Sequence, residues 1–156
     1  MKTKKATFGA GCFWHVEETF RKLRGVVNTA AGYMGGTIKN PTYEQVCTDK
    51  TGYAEVVQIE YDPDEITYES LLDIFWSIHD PTQLNRQGPD IGTQYRSVIF
   101  YHDDDQKNTA IKSKSEQEKK KKKRIVTEIS KSTMFYKAED YHQRYLEKRG
   151  MFSCKF

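Results

Sequence analysis

Two apolar periods alternate between residues 6 and 101, and this alternation limits the possible folds more than any other feature of the chain. Ala6 to Gly9 reads as a short strand, interrupted by Gly9-Ala10-Gly11. Phe13, Val16, Phe20 and Leu23 then recur at helical spacing as one stripe that ends near Gly25. Trp14 lies about 100° off that stripe, so the core does not claim it. Val26 to Tyr33 reads as a second strand, and after Gly35-Gly36 and a loop through Asn40-Pro41 a third runs from Tyr53 to Tyr61. Asp62-Pro63-Asp64 makes a turn, and Thr67 is placed to cap a helix with Tyr68, Leu71, Leu72, Phe75 and Ile78 on its apolar face. Pro81 to Gln94 reads as loop and Arg96 to Tyr101 as a fourth strand.

The order strand, helix, strand, strand, helix, strand predicts an α+β fold, a ferredoxin-like two-layer sandwich with a split βαβ core. A C-terminal extension of helix and coil follows: Asp103 caps a long polar helix, Ile125 to Ile129 adds a short strand, and Ala138 to Leu146 forms a small helix. A length of 156 residues suits a single domain. Its core is expected at about 4–101, its extension at 102–149 and a mobile tail carrying Cys154 at 150–156.

At 37% apolar and 30% charged residues the composition is that of a globular protein, and no apolar run is long enough to span a bilayer. Met1 to Lys5 is followed by no apolar segment of a secretory signal, so a cytoplasmic location without membrane contact is expected, and a monomer is the expected state. The net charge of +3 requires no nucleic-acid partner. The basic run Lys119 to Arg124 has no interleaved aromatic residues and reads as a solvated face.

Three cysteines, Cys12, Cys47 and Cys154, make a poor disulfide framework, and the scattered histidines give no zinc spacing, so no metal or bound cofactor is expected. Cys12 falls where a strand gives way to a helix. There its sulfur would face unpaired backbone amides and the positive end of the helix dipole, which favours a thiolate; the alternative is a small buried filler. In the third strand Tyr53, Glu55, Val57, Ile59 and Tyr61 share one face, which puts a carboxylate among apolar groups. Glu55 is then either ion-paired, the commoner case, or kept protonated by desolvation. Tyr43 and Tyr95 follow turn residues, where each could cap the core or donate a hydrogen bond into a pocket. His142 reads as a hydrogen-bonded structural histidine.

Gly11-Cys12-Phe13-Trp14, with Val16-Glu17 behind it, resembles the active-site signature of type A methionine sulfoxide reductases. The likeness continues through Asn40-Pro41-Thr42-Tyr43, Thr51-Gly52-Tyr53-Ala54-Glu55-Val56, Arg86-Gln87-Gly88-Pro89-Asp90, Gly92-Thr93-Gln94-Tyr95-Arg96-Ser97 and Ala138-Glu139-Asp140-Tyr141-His142-Gln143, in order and over most of the chain from Gly9 to Leu146. The resemblance implies reduction of methionine S-sulfoxide in oxidised proteins, with Cys12 as nucleophile and Glu55 as proton donor. It further implies Tyr43 and Tyr95 on the sulfoxide oxygen, Phe13 and Trp14 as an apolar wall for the methyl group, and Asp90 shaping the peptide side of the pocket. Recycling would pass through a Cys12 sulfenic acid, a disulfide to Cys154 with Cys47 as the rival thiol, and reduction by thioredoxin or a similar dithiol. His15 and Tyr53 stand where the family commonly has glycine and histidine, beside catalytic positions. The alternatives are a thiol peroxidase-like oxidoreductase and a nucleic-acid-binding module of the same fold class.

Overall fold

In the computed structural model, which describes residues 2–149, the two apolar periods become strands and helices ordered along one sheet. The elements are β1 (Lys4–Ala10), α1 (Phe13–Arg21), β2 (Val26–Met34), α2 (Tyr43–Val46), β3 (Ala54–Tyr61), α3 (Tyr68–Ser77), β4 (Arg86–Gln87), β5 (Asp90–Ile91) and β6 (Ser97–Tyr101). They continue with α4 (Asp104–Lys121), β7 (Glu128–Lys131), β8 (Tyr136–Lys137) and α5 (Tyr145–Lys148). The strands of the main sheet lie in the order β7-β6-β1-β3-β2-β8, a mixed α/β arrangement. Only the β6·β7 pair is parallel; β6·β1, β1·β3, β3·β2 and β2·β8 are antiparallel. Cys154 and the rest of the expected tail lie outside the described residues.

One sheet face carries the main core, where Phe8, Val57 and Ile59 meet Phe13, Val16 and Phe20 of α1 and Leu71, Leu72 and Phe75 of α3. Phe8 alone has the rings of Phe20, Phe75 and Tyr68 within 5.1 to 6.0 Å. On the opposite face Met34, Ala54, Val56, Val98 and Phe100 form a smaller cluster under Phe135. Both faces of β3 are therefore covered around Glu55, and no water layer is left to solvate a carboxylate there.

The extension departs from expectation. The strand expected at 125–129 forms at Glu128–Lys131, because the preceding residues bond elsewhere: Val126 N–H donates to the Pro81 carbonyl (2.9 Å), and the Thr127 hydroxyl pairs with Ser97 (2.8 Å). The helix expected at 138–146 is instead a 3-10 turn, Asp140–His142, followed by α5, with Arg144 between them at φ +52°. Gln143 accounts for the break. Its side chain accepts from Ala31 N–H and donates to the Ala31 and Ala138 carbonyls, at 2.8–2.9 Å, so this segment is tied to the edge of β2 and not to a helix of its own. The expected loop at 81–94 contains the short β4·β5 ladder, Arg86 opposite Ile91 and Gln87 opposite Asp90.

Gly32 makes that docking possible, since a Cβ there would sit 2.4 Å from the Phe135 ring and 2.5 Å from the Tyr136 carbonyl. Gly32→Ala is expected to cost about 1–3 kcal/mol of stability through overpacking. The check is urea unfolding. An unchanged midpoint would mean that Phe135 does not rest on β2.

Candidate active site

The site is assembled at the corner where β1 turns into α1. Gly11 makes the turn at φ +93°, where a Cβ would also meet the Gln87 side chain at 3.0 Å, so the corner needs glycine both for its backbone and for its neighbour. Cys12 follows as the N-cap residue of α1, half-buried. Phe13 begins the helix, and its backbone N–H donates not to a capping side chain of its own but to Glu55 Oε1, 3.3 Å away on β3.

Glu55 is 1% exposed and sits opposite Tyr33 in the β2·β3 ladder. No ion pair to it is seen among the described residues, and Oε2 has no hydrogen-bond partner there. The ion-pair account is thereby set aside. Burial raises its pKa to about 8, with the Phe13 amide bond opposing the shift and the charge of Asp90 adding to it. At neutral pH the carboxyl therefore holds its proton, and Oε2 is the oxygen free to offer it.

Tyr43 and Tyr95 lie near enough to this carboxyl for its charge to act on both. Tyr43 opens α2, whose first turn is fixed by a capping box between Thr42 and Gln45. Tyr95 ends the 3-10 turn Thr93–Tyr95, and Asp49 holds that turn by accepting from Thr93 N–H (2.7 Å) and its hydroxyl. Burial raises both phenol pKa values strongly, and the negative charge of Glu55 adds to each. Tyr95 also feels Cys47, Asp90 and Cys12, and the neighbouring Cys47 thiol adds to the upward shift of Tyr43. Burial raises the Asp90 pKa as well. Cys12, Glu55, Tyr43, Tyr95, Asp90 and exposed Cys47 are thus near enough for their charges to act on one another, and the two phenols remain hydrogen-bond donors at any ordinary pH.

An aromatic wall closes one side. The Phe13 ring lies 6.4 Å from Tyr43 and 5.1 Å from His142. Trp14 stacks on Tyr145 (3.8 Å, 9°) and donates from Nε1 to His142 Nδ1 (2.9 Å). That bond makes Nδ1 an acceptor, and burial lowers the His142 pKa, so the ring is neutral with its proton on Nε2. His15 and Tyr53, the two departures, are engaged elsewhere. His15 bonds the backbone at Ile78, and the Tyr53 hydroxyl donates to the Ile38 carbonyl. Sequence reasoning gave no role to Glu139, which reaches Tyr33 and Tyr43, or to Asp49; both carry ordinary surface residue types, and only their partners mark them out.

A thiol, a carboxylic acid that burial keeps protonated and two phenols gathered beside an aromatic wall suit reduction of a neutral, oxygen-bearing electrophile. The family model described as peptide methionine sulfoxide reductase matches residues 4–156. This chain belongs to the peptide methionine sulfoxide reductase family. Among curated members, the peptide methionine sulfoxide reductase MsrA of Geobacter sulfurreducens is 59% identical over 155 residues, covering 98% of this chain and 96% of that protein. The reduced form of Mxr1 from Saccharomyces cerevisiae has a similar structure, with a TM-score of 0.91 and 41% identity over 96% of this chain and 87% of that one. Mxr1 in complex with Trx2 matches with a TM-score of 0.67 and 33% identity, covering 92% and 85% of the two chains. No group of three or more His, Cys, Asp or Glu side chains that could hold a metal occurs among the described residues of this reductase.

Proposed function

We propose that the chain reduces methionine S-sulfoxide in proteins to methionine, with Cys12 as nucleophile and Glu55 as the proton donor. The observation that carries these roles is a buried, protonated carboxyl with one unpartnered oxygen, tied through its other oxygen to the amide next to Cys12. A sulfoxide sulfur is a weak electrophile until its oxygen is protonated or strongly hydrogen-bonded. Glu55 supplies the proton while Tyr43 and Tyr95 donate to the same oxygen, Phe13 and Trp14 pack the methyl group, and Asp90 borders the peptide side. The Cys12 sulfur attacks the methionine sulfur, the oxygen passes to Cys12 as the bond between it and the methionine sulfur breaks, and the transient sulfur–sulfur bond breaks with it, leaving a sulfenic acid on Cys12 and free methionine thioether. Methionine sulfur gains the two electrons that Cys12 sulfur loses.

A second thiol then condenses with the sulfenic acid, giving a disulfide and one water. Cys154 is our choice for that thiol, with Cys47 the rival. In its support, α5 is anchored at the site by the Tyr145–Trp14 stack, and the Arg149 guanidinium lies over the Tyr145 ring at 5.0 Å. The five residues from Arg149 to Cys154 can span up to about 17 Å when extended. The disulfide is reduced by thioredoxin or a similar dithiol, which the structure of Mxr1 with Trx2 supports by analogy. Cys154→Ala is expected to release about one equivalent of methionine per enzyme and then stall with thioredoxin as reductant. Sustained cycling would transfer the role to Cys47.

The setting we infer is a cytoplasmic monomer acting as one catalytic domain. The β6-β1-β3-β2 order of the four central strands supports describing its core as ferredoxin-like. No described helix is long and apolar enough to cross a membrane.

A further inference from the structure

We propose that Glu139 is a positioning residue for the reaction, a fixed post that sets the sulfoxide-binding Tyr43 through the backbone of α2. The inference rests on the role given to Tyr43 above. α2 has four residues, too few to hold a helical turn unaided, since nucleation is unfavourable and the leading amides lack intrahelical acceptors. The capping box satisfies two of them: Thr42 N–H donates to the Gln45 side chain (2.9 Å) and Gln45 N–H to the Thr42 hydroxyl (3.2 Å). The amide of Tyr43 itself donates to Glu139 Oε2 at 3.0 Å, from a residue 96 positions away.

The other oxygen of Glu139 accepts from the Tyr33 hydroxyl at 3.0 Å, so one carboxylate spans the end of β2 and the start of α2. The post is held on both sides: Ala138 N–H donates to the Ala31 carbonyl (2.9 Å), and Gln143 grips both backbone groups of Ala31. Burial opposes ionisation of Glu139, but the Tyr43 amide and the Tyr33 hydroxyl outweigh it and hold its pKa below the usual carboxylate range. Downstream, the Tyr43 ring lies 4.4 Å from His142 and 6.4 Å from Phe13. Release of the Tyr43 amide would therefore displace a ring packed against Phe13 and His142.

The test is a double-mutant cycle on reduction of a methionine sulfoxide peptide, with hydrogen exchange read at the Tyr43 amide. Glu139→Ala should lower kcat by about 10- to 100-fold, the scale of a misplaced catalytic contact, and speed exchange at Tyr43. Tyr43→Phe should then cost much less in the Glu139→Ala background than in the wild type. Glu139→Gln keeps one acceptor for the Tyr43 amide and should recover most of the rate. Unchanged Tyr43 exchange in Glu139→Ala, or a full Tyr43→Phe penalty in that background, overturns the proposal. A silent Tyr43→Phe in the wild type overturns the sulfoxide role of Tyr43 and the catalytic half of the proposal with it, whereas faster exchange would still establish the hold of Glu139 on α2.

Discussion

Cys12→Ser leaves no measurable reduction of a methionine sulfoxide peptide, with either thioredoxin or a small dithiol as reductant. The expected loss is complete because the step needs a sulfur that can become a sulfenic acid and then a disulfide, and a serine hydroxyl can do neither. Folding should be unaffected. Cys12 is half-buried at the head of α1, and the hydrogen bond from Phe13 N–H to Glu55 uses backbone on its donor side, so the corner keeps its shape. The measurement is steady-state turnover beside a far-UV spectrum and a melting curve. Residual turnover in a folded Cys12→Ser protein would remove Cys12 as the nucleophile and point to Cys47.

Glu55→Gln gives the second-largest effect, a fall in kcat of roughly 10²- to 10⁴-fold, the usual worth of a general acid. An amide is a weak proton donor but fills the same space and accepts from Phe13 N–H, so peptide binding should fall far less than rate. The pH dependence follows from the shift to about 8. Wild-type kcat declines as pH rises through that value and the donor loses its proton; the variant lacks that limb. Stability moves the same way for a different reason. The native state holds the Glu55 proton above the pH at which the unfolded chain releases it, so wild-type stability is lost progressively between the ordinary glutamate pKa and about 8. Glu55→Gln, neutral throughout, should melt above wild type at pH 9 and close to it at pH 4. A variant less stable at both pH values would indicate that Glu55 serves structure as a charged group.

The central strands and helices were legible because each buries one face and the spacing of apolar residues reports it: Phe13, Val16 and Phe20, or Val57 and Ile59, lie in the core that their period assigns. The same period marked Glu55 as out of place, yet could not choose between an ion pair and a neutral acid. That choice depends on what faces β3 from α1 and on a second cover of the sheet by Phe135, both distant in sequence. Trp14 was legible as spare, but its partners His142 and Tyr145 stand in an extension without apolar periodicity, His142 being 128 positions further on. That extension is shaped by side-chain bonds such as those of Gln143, which leave no periodic trace. Glu139 and Asp49 stayed hidden for the same reason: each acts by accepting from a backbone N–H of a remote loop.

The most direct measurement is the titration of the Glu55 carboxyl itself, followed by its carbon-13 resonance in the intact enzyme with Glu55→Gln to assign the signal. A resonance still protonated at pH 7, with a midpoint near 8, is what a buried donor poised beside Cys12 requires. A midpoint at the ordinary glutamate value would mean a charged carboxylate at the site, with no proton to give the sulfoxide.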